Sequence, residues 1–179
     1  MITFNTITRL TPPDFLSFTQ LNPDLICELN PNGSITLKRD DYKPAIKKMR
    51  LQLHHAVFLW SKENETGFVA DKNTCFVFKT GAVREPAIAW LRTYKKENTI
   101  ENFIEAVPDF VVEFLTEHDN MDSLKRKMRE YITNGTALAW LIDVEGEKIY
   151  IFRASCMESE TGLTEKISGE DVLPNFVFN

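Results

Sequence analysis

The segment Asp109–Leu115, reading Asp-Phe-Val-Val-Glu-Phe-Leu, constrains this chain more than any other. Apart from its two carboxylates it is wholly apolar, with no hydrophobic–polar alternation, which is the pattern of a buried strand. Such a strand needs covering layers, and two amphipathic stretches can supply them. From Pro44 to Ser61, the residues Ile46, Met49, Leu53, Val57 and Trp60 recur every three or four positions and line one helical face. Pro44 lies near the start, where a helix tolerates it. From Asp119 to Asn134 the stripe is Met121, Leu124, Met128 and Tyr131, and Gly135 is placed to end the helix.

Shorter elements fill the rest. Thr11-Pro12-Pro13-Asp14 opens a helix to about Gln20, since proline suits a first turn. Leu25–Leu29 and Ser34–Arg39 read as strands joined by the turn Asn30-Pro31-Asn32-Gly33. Gly67–Asp71, Cys75–Phe78 and Ile88–Leu91 are β-rich, and Glu101–Ala106 reads as a short helix. Ala137–Asp143 and Lys148–Arg153 form a hairpin around Val144–Glu147, and Val172–Asn179 reads as a last strand. Helices alternate with strands and hairpins lie toward both ends, so an α/β fold with a mixed sheet flanked by helices is expected. With 179 residues and no repeat or Ser/Gly-rich linker, one domain spanning 1–179 is expected.

Composition removes several classes. No apolar run approaches the roughly 18 residues of a membrane span. The first residues lack the basic and apolar regions of a secretory signal, so a cytoplasmic protein is expected. Cys27, Cys75 and Cys156 are odd in number and widely spaced, which fits reduced thiols. No GxGxxG, P-loop, GxSxG or HExxH occurs. A net charge of −5 argues against binding nucleic acid by bulk charge. The charge is unevenly spread, however. Lys38–Arg50 carries six basic residues, while Asn98–Leu124 carries seven carboxylates and no Lys or Arg. Lys43, Lys47, Lys48 and Arg50 are the candidates for phosphate contacts.

Two residues break the pattern around them. Glu113 sits where its neighbours want to be dry, and an isolated buried carboxylate costs several kcal/mol unless paired or metal-bound. Strand alternation places it on one face with Asp109, Val111 and Leu115. A ligand site, a structural ion pair, or an edge strand with Glu113 in water all remain open. Lys127 lies at the edge of the apolar stripe of its helix, but Lys125 flanks the other edge equally well.

Four stretches then fall into a known order: Cys27-Glu28-Leu29 before the Asn32-Gly33 turn; Gly81-Ala82-Val83-Arg84-Glu85-Pro86; Pro108–Leu115; and Lys127-Met128-Arg129-Glu130-Tyr131 with Gly135 and Trp140–Asp143. In these the chain, from about Phe15 to its end, resembles the bacterial family of putative restriction endonucleases, a branch of the PD-(D/E)XK nuclease superfamily. The resemblance implies a restriction-endonuclease-like fold and a divalent-metal-dependent endonuclease that hydrolyses DNA phosphodiester bonds. It implies a site made of an Asp after a proline, a Glu on the next strand, and a Lys moved from two residues after that Glu onto the following helix. Leu115 fills the older lysine position and Lys127 the newer one, so Glu113 and Lys127 are the implied catalytic residues. Glu28 matches an early acidic residue of the family and joins Glu113 as an implied ligand of Mg²⁺ or Mn²⁺. DNA is the implied partner, and a homodimer follows if two sites pair to cut two strands. One departure stands out. The third ligand position is Ala87, where the family has Asp, and Glu85, beyond Pro86, is the nearest alternative oxygen. A degenerate nuclease, an engineered inactivation and a non-catalytic module that binds nucleic acid or protein are all open at this point.

Overall fold

A computed structural model describes residues 2–4, 9–39, 42–71, 73–96, 99–100 and 102–179. In chain order the elements begin with β1 (Ile2–Phe4), α1 (Pro12–Leu21), β2 (Cys27–Leu29), β3 (Ile35–Leu37) and α2 (Pro44–Asn64). There follow β4 (Gly67–Val69), β5 (Cys75–Val77), β6 (Val83–Arg84), β7 (Ile88–Arg92), β8 (Thr99–Ile100) and β9 (Phe103–Ile104). The second half holds β10 (Phe110–Phe114), α3 (Met121–Asn134), β11 (Leu138–Asp143), β12 (Lys148–Arg153), β13 (Cys156–Gly162), β14 (Ile167–Ser168) and β15 (Val177–Phe178).

The expected mixed sheet is six-stranded, ordered β13-β12-β11-β10-β7-β4. Within it β10 runs parallel to β11 and antiparallel to β7. The parallel step requires a crossover, which α3 provides. Along β10, Phe110, Val112 and Phe114 point toward α2, where Leu53, Val57 and Trp60 meet Ile88, Trp90 and Trp140. Val111 points the other way, toward Leu124, Met128 and Tyr131 of α3. Each such side chain taken fully from water contributes about 1.5–3 kcal/mol, so both helices are held chiefly by their stripes. A seven-stranded sheet, ordered β1-β3-β2-β6-β5-β9-β8, adds to this layer, with Phe15 of α1 packed on Cys27, Leu29 and Val83.

Local signals account for the helix ends. Thr11 caps α1 in a capping box with Asp14. Asn120 accepts from Ser123 N at 3.0 Å to cap α3, and Gly135 ends it at φ +112°. The β2–β3 turn needs Gly33 at φ +82°, where a Cβ would lie 2.7 Å from the backbone nitrogen of Leu10.

Two expectations fail. No helix forms over the described part of 101–106; Phe103 and Ile104 make β9, paired in parallel with β5. Apolar residues at 103, 104, 106 and 107 fit a helical face as well as a strand, and the open edge of β5 decides. The tail from Val172 is mostly turns that bury Leu173 and Phe176, with only Val177–Phe178 extended.

Candidate active site

The chain passes from one sheet to the other at Glu85-Pro86-Ala87. β6 belongs to the seven-stranded sheet and β7 to the six-stranded one, with Pro86, which has no N–H for a ladder, between them. Around this crossing the structure gathers residues far apart in sequence. Glu28 comes from β2, Glu113 from β10 and Lys127 from α3.

Glu113 is neither on an edge nor in water. β10 has a partner on each side, and the Glu113 side chain is 3 % exposed. Its Oε1 lies 2.7 Å from Lys127 Nζ and accepts a hydrogen bond from the Tyr131 hydroxyl at 3.1 Å. The same Lys127 ammonium donates to Glu28 Oε1 at 2.6 Å, so it bridges the two carboxylates. Lys127 is 8 % exposed, and this bridge is what offsets its desolvation.

A second lysine reaches the same oxygens. Lys38, directly after β3, donates to the carbonyl of Glu85 at 2.6 Å and stands 3.5 Å from Glu28 Oε1 and 3.8 Å from Glu113 Oε2. The backbone N–H of Glu85 donates to Glu28 Oε1 at 3.0 Å. Arg84 holds Glu130 in a two-pronged ion pair at 2.8 and 3.0 Å and donates to the carbonyl of Leu29 at 2.7 Å. Burial alone would raise the pKa of Glu28, but Lys127, Lys38 and Arg84 outweigh it and hold the carboxyl down at about 2. For Lys38 the signs reverse: burial disfavours the ammonium, and Glu113 and Glu28 more than restore it. Burial raises Glu85, with Lys38 opposing and Glu28 reinforcing.

Ala87 lies one residue beyond the ladder, which ends with Val112 opposite Ile88. Its side chain touches the α2-side core and also borders a small crevice with Lys38. It borders a cavity of about 300 Å³ that is also lined by Lys47, Arg50, His54 and Glu85. Of the four basic candidates, Lys47 and Arg50 border this space. Lys48 is exposed elsewhere on α2, and Lys43 is engaged by Glu117 at 2.9 Å and Glu145 at 2.6 Å. A second cavity, of about 350 Å³, opens onto Glu28, Lys127, Arg84 and Arg126.

Tested as a metal centre, the donor set falls short. Glu28 and Glu113 are two carboxylates, each facing both lysines, and residue 87 has no oxygen in its side chain. Among the described residues no group of three or more His, Cys, Asp or Glu side chains is arranged to hold a metal ion. Glu85 contributes its backbone N–H and carbonyl to Glu28 and Lys38.

Sequence reasoning missed Lys38, Arg84 and Tyr131. Tyr131 was legible, being one turn after Lys127 on the same helix face. Lys38 and Arg84 each sit in a short strand context with no periodic signal, and nothing local marks them.

This geometry can now be set beside known proteins. The fold is restriction-endonuclease-like: it matches the crystal structure of a putative nuclease from Anabaena variabilis with a TM-score of 0.81, at 14 % identity, over 94 % of each chain. Residues 12–179 match the family described as Uma2, "Putative restriction endonuclease", and the chain belongs to that family. No curated protein matches it by sequence. Among the described residues no helix is long and apolar enough to cross a membrane.

Proposed function

We propose that this chain binds DNA through its family's nuclease fold and, with Ala87 in the third ligand position, does not hydrolyse the phosphodiester bond at an appreciable rate. One observation carries the reading: the two carboxylates expected to hold a metal both face the Lys127 ammonium, at 2.6 and 2.7 Å, and residue 87 adds no oxygen. Family membership supports nucleic acid as the partner. Lys47 and Arg50 support the way it would be held, since both line the cavity that ends at Pro86 and Ala87. They lie three residues apart on α2, so both can face one phosphate backbone.

A second reading is a divalent-metal-dependent endonuclease acting on DNA with Mg²⁺ or Mn²⁺. The convergence of Glu28, Glu113 and Lys127 beside a cavity of about 350 Å³ favours it. In this reading Glu113 and Glu28 are ligands and Lys127 is the catalytic cation, and residue 87 is a missing ligand.

Nicking of supercoiled DNA in Mg²⁺, Mn²⁺ or EDTA separates the two, alongside DNA binding measured across a salt series. The first reading expects no nicking in any buffer. It also expects binding that weakens with salt, with a slope reduced by about 2 when Lys47 and Arg50 are both changed to Ala. Nicking in Mg²⁺ that Lys127→Ala abolishes would establish the second reading. Absence of DNA binding at low salt would sink the first.

A further inference from the structure

We propose that the Lys38 ammonium, held among the carboxylates of Glu28 and Glu113 and the carbonyl of Glu85, takes the place of a divalent cation and closes this site to metal. The inference rests on reading Glu28 and Glu113 as the remains of a nuclease centre.

The partners of Lys38 are those a hard cation would choose. Three oxygens from three separate segments face its Nζ: Glu85 O at 2.6 Å, Glu28 Oε1 at 3.5 Å and Glu113 Oε2 at 3.8 Å. Divalent Mg²⁺ likewise takes oxygen ligands, from carboxylates and carbonyls. The position is built rather than accidental. Thr36 pairs with Glu28 across the β2–β3 hairpin, and Lys38, two residues on, leaves the strand on the same face, its side chain 14 % exposed.

Lys38 and Ala87 border one small crevice with Pro86, Arg39, Tyr42 and Arg50. Position 87, which lacks a carboxylate, and the Lys38 ammonium are therefore neighbours. As the chain stands, the carboxylates of Glu28 and Glu113 face the ammonium groups of Lys38 and Lys127. Arg84 pairs with Glu130 and comes within 4.0 Å of Glu28, and the Glu85 carboxyl lies at the rim of the same cluster. A divalent ion would add two positive charges beside the two ammonium groups that already face Glu28 and Glu113, and like charges this close repel strongly in a partly buried site. With a carboxylate at 87 and no ammonium at 38, negative charge would exceed that of Lys127, and a divalent ion would offset the excess. The absence of a carboxylate at 87 and the ammonium at 38 thus act together, and changing one alone does not open the site.

The test is titration of the full chain with MnCl₂ and MgCl₂, by calorimetry and by thermal unfolding. The proteins are wild type, Ala87→Asp, Lys38→Met and the double Lys38→Met/Ala87→Asp variant. Wild type and Ala87→Asp should give no binding heat and no change in Tm. The double variant should bind Mn²⁺, and at about 100 times its Kd the ion should raise Tm by roughly 5–10 °C. Lys38→Arg, which keeps the positive charge, should stay blind to metal. Metal binding by wild type, or by Ala87→Asp as tightly as by the double variant, would overturn the proposal. So would a double variant that folds and binds no metal. If the double variant unfolds in plain buffer, recovery of its fold in Mn²⁺ supports the proposal, and no recovery counts against it. DNA binding in EDTA, run on the same wild-type protein, reports separately on the DNA reading: its absence would remove that reading and leave the metal result standing.

Discussion

Lys125 and Lys127 stand two residues apart on α3 and meet opposite surroundings. At about 100° per residue they leave the helix roughly 200° apart. Lys127 points toward the crossing of the two sheets, is 8 % exposed, and bridges Glu28 and Glu113. Lys125 points toward β13, pairs with Glu158, which Arg129 also holds at 2.7 Å, and lies 4.0 Å above the Tyr150 ring. Its side chain is 20 % exposed and that of Glu158 26 % exposed. The same ammonium is thus the centre of a buried charge cluster in one case and a clasp near the surface in the other. The difference lies in solvation. Water remains available to Lys125 and Glu158 if the pair breaks, whereas Glu28 and Glu113, each 3 % exposed, are nearly cut off from it.

The largest effect should come from removing the buried bridge. Lys127→Met leaves two buried carboxylates short of a cation and should lower unfolding free energy by about 3–5 kcal/mol. Lys125→Met should cost about 1 kcal/mol or less. Equal losses in denaturant titration would break the contrast. Adding Glu113→Leu to Lys127→Met should recover part of the loss, because a removed pair is cheaper than a broken one.

Acid comes next. Glu28 is held at about pKa 2, against an ordinary value of 4.5. A depressed carboxyl contributes stability that is present above the unfolded pKa and is lost as pH falls through the folded one. The loss should therefore run from about pH 4.5 down to about pH 2 and amount to roughly 3 kcal/mol. Glu85, raised by burial, works in the opposite sense, so Glu85→Gln should make the loss on acidification steeper. Urea midpoints measured between pH 6 and about pH 2.5 check this. A Glu28→Gln protein with the same acid dependence as wild type would place the effect elsewhere.

Removing the charge of Glu113 while keeping its shape should cost less. Glu113→Gln retains acceptors for Lys127 and Tyr131, and a loss of about 1.5–3 kcal/mol is expected. An unchanged or more stable protein would mean that the carboxylate burdens the fold. A smaller effect within the cluster belongs to Tyr131→Phe, which removes one hydrogen bond to Glu113 and should cost about 1 kcal/mol with little change in packing. Both are measured by thermal and urea unfolding.

Local periodicity accounts for the two long helices and the central strand. The stripe through Ile46, Leu53, Val57 and Trp60 and the one through Leu124, Met128 and Tyr131 give α2 and α3, and the apolar run around Glu113 gives the buried strand between β7 and β11. Thr11, Asn120, Gly33 and Gly135 mark ends and turns because capping and left-handed backbone depend on single residues. Glu113 stood out because a carboxylate among apolar neighbours must find a partner. Which partner it finds was not local information. Glu28 and Lys127 are 99 residues apart, and Lys38 and Glu85 are 47 apart. The choice of Lys127 over Lys125 depends on which side of α3 faces the crossing of two sheets, and a helical wheel drawn for one helix contains no second sheet. Phe103 and Ile104 likewise became a strand because β5 offered an open edge. Only the tertiary structure decides such matters, because the energy of an ion pair or a sheet edge depends on what the rest of the chain brings beside it.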